Sequence, residues 1–259
     1  MYYELQGSGP PIVLIHEAIA DSRMWEPQWS SFAVRYRLLR LDLAGFGRTP
    51  IERLPVTHAR DVEGLLDELE ISAAGVVGAS LGGRVALELA VARPDLVQAL
   101  VLVDAGLPGF DWSETVRAYS AAEDAAVSAG DLAAATEVNL RIWVDGPRRT
   151  AEDVDPGVRA AVAEMQRAAL ELQVPHWDEL DEDLLVPYVA ERLHEVEAPT
   201  LVLVGEEDVD DMQLLAQRFA AEIPRARLAK IPGAAHVPSL EQPAAFDELV
   251  LGFLADNLG

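Results

Sequence analysis

Three side chains in this chain, far apart and in the order serine, acid, histidine, have the chemistry of a nucleophile and its base. Ser80 is centred in Gly78-Ala79-Ser80-Leu81-Gly82, between the apolar run Ala73-Ala74-Gly75-Val76-Val77 and a run rich in Ala, Leu and Val from Leu81 to Ala92. A Gly-x-Ser-x-Gly at a strand-to-helix junction is the nucleophile-elbow pattern. The turn is so tight that small residues are needed two before and two after the serine. The helix that follows aims its positive dipole end at any developing oxyanion. A serine hydroxyl is a weak nucleophile at neutral pH and needs a base, which in turn needs an orienting acid. His236, in Gly233-Ala234-Ala235-His236-Val237-Pro238, supplies the base. The spacing in Gly205-Glu206-Glu207-Asp208 favours Asp208 as the acid, with Glu207, Asp210 and Asp211 as competitors in the same loop. Asp104, at the end of an earlier strand, is the main rival.

These residues need a frame that brings them to one edge. Strands are expected at Tyr2–Gln6, Pro11–His16, Arg37–Leu43, the run before Ser80, Ala99–Val103, Thr200–Val204 and Arg227–Ile231. Helical stretches separate most of them, including one capped by Asp21 or Ser22, one by Thr57, one over Met212–Glu222 and one over Pro243–Asn257. Such alternation implies an α/β architecture with a mostly parallel, doubly covered sheet. Ligands bind beyond the carboxyl ends of the strands in sheets of this kind, where Asp208 and His236 would both lie. From Leu107 to Leu193 the strand rhythm stops and Ala- and Glu-rich helical periodicity takes over. The division expected is a core of residues 1–106 and 194–259 with a helical cap of residues 107–193 inserted into it.

The ordered set Ile12-Val13-Leu14-Ile15-His16, Asp42 to Gly47, Gly78 to Gly82, Asp104, Gly205 to Asp208 and Gly233 to His236 resembles the α/β-hydrolase fold family over nearly the whole chain. The resemblance implies Ser80 as nucleophile, His236 as base and Asp208 as acid. It also implies an oxyanion hole from the backbone N–H groups of Leu81 and Ala18. The short start before Ile12 implies about seven strands instead of the family's usual eight. The family usually has His-Gly where this chain has His16-Glu17, so the glutamate either brings a carboxylate to the oxyanion loop or points to solvent. His16 itself is expected to bond backbone beside that loop. Trp25, Trp143 and Trp177 are expected to line an aromatic, apolar acyl pocket, or else merely to pack helices onto the core.

The activity this implies is that of a serine hydrolase cleaving a small ester or related acyl substrate through an acyl-enzyme. The alternatives are a carbon–carbon bond or enol-lactone hydrolase of aromatic breakdown, and a non-catalytic small-molecule receptor. The partner expected is thus a small ester, lactone or ketone. Composition narrows the field further. The formal charge of −24 disfavours nucleic acid and anionic lipid, which need a basic footprint. Without cysteine there are neither disulfides nor thiolate chemistry. No metal or cofactor is expected: His16-Glu17 is followed by Ala20 and not by a second histidine, no Gly-Lys-Ser/Thr occurs, and no glycine cluster completes a dinucleotide fingerprint. Met1–Gln6 lacks a basic leader, and no apolar run reaches the roughly 20 residues of a membrane span, so a cytoplasmic location is expected.

Overall fold

The computed structural model describes residues 1–258. Seven strands form one sheet: β1 (Tyr3–Gln6), β2 (Pro11–Ile15), β3 (Arg37–Leu41), β4 (Ala74–Ala79), β5 (Val97–Val103), β6 (Thr200–Gly205) and β7 (Ala226–Ile231). Their order is β1-β3-β2-β4-β5-β6-β7, with β1 antiparallel to β3 and every other pair parallel. Every residue of β4 and β6 is buried, as continuous apolar strands covered on both faces must be.

The alternation of side chains sorts the core into two layers. Val13 and Ile15 of β2 face α2 (His58–Glu68), α3 (Leu81–Ala92) and α7 (Asp210–Glu222). Ile12 and Leu14 face the opposite layer, where Phe32 of α1 (Glu26–Phe32) and Phe246, Val250 and Leu254 of α9 (Pro243–Leu258) pack. Each such aliphatic or aromatic side chain contributes about 1.5–3 kcal/mol by leaving water. The stretch after Asp21 is a 3-10 turn over Ser22–Trp25 that leads into α1, not one continuous helix. Asp21 caps it by accepting the Arg23 N–H.

Between β5 and β6 the chain makes α4 (Glu114–Ser128), α5 (Leu132–Asn139), a π-helical turn over Leu140–Asp145, α6 (Pro156–Gln173) and short 3-10 turns. The segment is tied to the core by the backbone bonds Val56 N–H to Asp181 O and Asp183 N–H to Val56 O, each 2.9 Å. The closing helix α9 is reached through the short helix α8 (Pro238–Glu241), which follows the loop after β7. Among the described residues no helix is long and apolar enough to cross a membrane.

Candidate active site

Parallel strands put the loops after β2, β4, β5, β6 and β7 on one rim, and Ala18, Ser80, Asp104, Asp208 and His236 sit in those loops. Ser80 joins β4 to α3 with φ 48° and ψ −108°, a conformation rare for a residue with a side chain. The turn closes only because its flanks are glycine. A Cβ on Gly78 would run into the carbonyl of Gly82, and one on Gly82 into the carbonyl of Ile15. Leu81 is the first residue of α3, so its N–H is among those a helix start leaves without an intrahelical acceptor.

His236 is buried, and its Nδ1 lies 2.6 Å from Oδ2 of Asp208. The other oxygen of Asp208 accepts the Val209 N–H at 2.7 Å, which fixes the carboxylate plane. With Nδ1 engaged, the imidazole is left to work through Nε2 on the cavity that Ser80 also lines. Burial opposes the charged imidazole, but Asp208, Glu17 and Glu241 together carry its pKa above the ordinary value. The neighbouring acids are placed elsewhere. Glu207 pairs with Arg148 at 3.2 Å, and Asp211 accepts the Ser113 N–H at 2.7 Å.

Asp104, the rival acid, is also buried at this rim, with φ 41°. Its Oδ1 accepts the Gly205 N–H at 3.1 Å and its Oδ2 has no partner. Burial first, and then the adjacent Asp208, push its carboxyl well above the usual range. Asp104, Asp208 and His236 each offer a ligand atom within 4.8 Å of the others. This grouping is a poor cation site, because Nδ1 of His236 and Oδ2 of Asp208 are committed to each other.

A strip of the helical segment holds the loops that carry Asp208 and His236. The Trp143 carbonyl accepts the His236 N–H at 3.1 Å, and the Trp143 ring lies 4.5 Å from the imidazole. Arg148 donates to the carbonyls of Glu206 and Asp208, both at 2.7 Å. Arg149 reaches the Gly233 carbonyl at 2.9 Å and the Glu241 carboxylate at 2.7 Å.

The loop after β2 resolves the two alternatives for Glu17 in favour of the interior. Nδ1–H of His16 donates to the Glu17 carbonyl at 2.7 Å, and Nε2 accepts the Leu43 N–H at 2.9 Å, so the ring is neutral and pins the loop. The Glu17 side chain is fully buried, and neither carboxylate oxygen has a partner. Burial raises its pKa to about 8; His236 opposes the shift, and Asp208 and Glu241 add to it. An unfolded glutamate ionises near 4.5, so the folded chain keeps a proton between the two values that the unfolded chain has lost. The stability this gives is whole below pH 4.5 and is lost, at roughly 1.4 kcal/mol per pH unit, as pH climbs through 8. Glu17→Gln removes that slope. Urea unfolding of both proteins from pH 5 to 9 is expected to show the glutamine variant gaining on wild type at each step up to about pH 8 and level beyond it, whereas parallel profiles would contradict a buried Glu17 with a raised pKa.

Two cavities meet at Ser80 and His236, and Trp143 lines both. The wider one, about 480 Å³, runs along Leu81, Leu107, Trp112 and Met212. Arg84 on its wall is ion-paired with Glu88 at 3.2 Å and Glu182 at 2.5 Å. The narrower one, about 240 Å³, includes Ala18, Phe46 and Trp177. Trp25 joins neither. It is wholly buried, its ring 6.0 Å from that of Phe246, because the 3-10 turn faces it into the α1–α9 layer. The narrow cavity also departs from an apolar pocket, since Ser120, Glu123, Asn139, Gln166 and Gln173 line it. Their helical stretches were legible, but which face of each helix meets the cavity depends on packing. A further concavity, about 820 Å³, lies between β1 and α2 and contains none of the rim residues.

The sheet, the strained serine and the histidine–acid pair define an α/β hydrolase. The model of the "Alpha/beta hydrolase family" matches residues 12–249, and the chain belongs to that family. It is 30% identical to "Putative carbamate hydrolase RutD" of Azorhizobium caulinodans, over 99% of this chain and 95% of that one. It is 27% identical to the pimeloyl-(acyl-carrier protein) methyl ester esterase of Nitrosospira multiformis, over 98% and 97%. Among solved structures, the enol-lactonase from Burkholderia xenovorans shares the fold with a TM-score of 0.79 and 24% identity, over 98% and 96% of the two chains.

Proposed function

We propose that this hydrolase is a serine enzyme that cleaves a small ester or related acyl substrate through a covalent acyl-enzyme. One observation carries the reading: the Asp208–His236 pair opens onto the same cavity as Ser80, which the tight turn presents at positive φ. In the first half-reaction Nε2 of His236 takes the Ser80 proton as Oγ bonds to the carbonyl carbon. The carbonyl electron pair moves to oxygen, where the N–H groups of Leu81 and Ala18 receive it, each donor being worth about 3–4 kcal/mol in comparable sites. The tetrahedral species collapses, and the leaving alcohol departs with the proton from His236. Water, deprotonated by the same histidine, then releases the acid and restores Ser80. Asp208 orients the imidazole and stabilises its charged form without taking the proton. The esterase and carbamate-hydrolase names of the two relatives support cleavage next to an acyl carbon.

Intact mass after treatment with a fluorophosphonate tests the nucleophile. Wild type is expected to gain one adduct and Ser80→Ala none. A folded wild-type protein that stays unlabelled, or an adduct that survives in the variant, would overturn the assignment.

A further inference from the structure

The narrow cavity carries information on what the site accepts. Three helices build its far wall: α4 gives Ser120 and Glu123, α5 gives Asn139, and α6 gives Gln166 and Gln173. Polar groups are costly to bury unless they are bonded, so the bonds they make and lack are informative. Oε1 of Glu123 accepts from Nδ2 of Asn139 at 2.5 Å and from Nε2 of Gln166 at 3.5 Å. Asn139 also donates to the Ala135 carbonyl at 3.1 Å. Both amides therefore turn N–H groups toward Glu123 or the backbone. Acceptors are what remain: both bonds to Glu123 land on Oε1, leaving Oε2 without one, and Oε1 of Gln166 is buried without a partner although that residue is only 4% exposed. No lysine or arginine lines this cavity. Burial shifts the Glu123 carboxyl upward and the Asn139 bond opposes the shift, so a donor brought beside it would be met by a poorly solvated acceptor.

We propose that the narrow cavity binds a substrate end bearing an N–H donor group, an alkylammonium or a primary carboxamide, with Glu123 and Gln166 as its acceptors. The proposal deepens the acyl-transfer reading, which places the scissile carbonyl at Ser80. A carboxylate-tipped chain meets only like acceptors here. A plain hydrocarbon leaves both acceptors desolvated and unmet, a loss of the kind that gives polar sites their discrimination.

The test uses wild type, Glu123→Gln and Gln166→Leu with four methyl esters of similar length: methyl ε-aminohexanoate, methyl adipamate, monomethyl adipate and methyl heptanoate. For wild type, kcat/KM for at least one N–H-tipped ester is expected to exceed that for methyl heptanoate by about 10- to 100-fold, with monomethyl adipate slowest. In Glu123→Gln the ratio of kcat/KM for the ammonium ester to that for methyl heptanoate is expected to drop to about threefold or less, and in Gln166→Leu the ratio for the carboxamide ester likewise. Either variant alone suffices should the other fail to fold. Calorimetric binding of pentylamine, pentanamide and pentanoate to wild type gives a readout free of catalysis. Tighter binding of the amine or the amide than of pentanoate, with no ester cleaved, would keep the subsite and remove the acyl-transfer reading. Equal binding of all three, a wild type that prefers heptanoate or adipate, or a preference that survives both substitutions would overturn the subsite itself.

Discussion

Ser80→Ala is expected to lose about five to six orders of magnitude in kcat on any ester the wild type cleaves, with the fold unchanged. The loss is large because Oγ has no substitute. Without it the histidine, the acid and the oxyanion donors act on no nucleophile except water, which the turn does not hold in place. The fold is expected to survive because the hydroxyl caps nothing: the Ser80 side chain makes no cap bond at the start of α3. Alanine carries the same Cβ as serine into the same positive φ, so the strain is unchanged, and the stability change should stay within about 0.5 kcal/mol. Circular dichroism and urea unfolding check the fold, and single-turnover assays check the loss. Near-normal rates in purified Ser80→Ala would remove the nucleophile.

The acid is tested by a paired comparison. Asp208→Asn is expected to cost about 10⁴ in kcat, because an amide donating to Nδ1 would force the imidazole into the tautomer that cannot accept the serine proton. Asp104→Asn is expected to cost at most about tenfold. Burial and the adjacent Asp208 both oppose a charge on Asp104, asparagine has nearly the same shape, and a side-chain oxygen remains to accept the Gly205 N–H. The same assay on both variants separates them. If Asp104→Asn were the more damaging, the histidine would be oriented by the wrong neighbour in the account given above.

The strands were legible because the signal is local. A continuous apolar run such as Ala74–Ala79, bounded by a turn, has few alternatives, and the order of strands and helices then sets which loops share a rim. Ser80 was legible for the same reason, since two glycines and a strand–helix junction state the turn directly. Asp208 was separable from its neighbours only by its spacing from Gly205, and the structure pairs it with His236 while Glu207 and Asp211 take other partners. What the residue types did not carry is direction. Trp25 and Trp143 look alike in sequence, yet one is buried against Phe246 and the other lies over His236. Glu17 had two orientations open to it because a loop has no period from which to read facing. Glu123, Asn139 and Gln166 sit in amphipathic or Ala-rich stretches where a polar residue is ordinarily a solvated one. Only the mutual packing of three helices turns them inward.

The contacts of Trp143, Arg148 and Arg149 with the loops after β6 and β7 have a mechanical consequence. His236 and Asp208 are suspended from the same short strip, through Trp143 to His236, Arg148 to the Asp208 loop and Arg149 to the loop before His236. A hinge along this strip would pull His236 away from Asp208. The strip is thus a fixed jamb that holds the loops after β6 and β7 at one spacing.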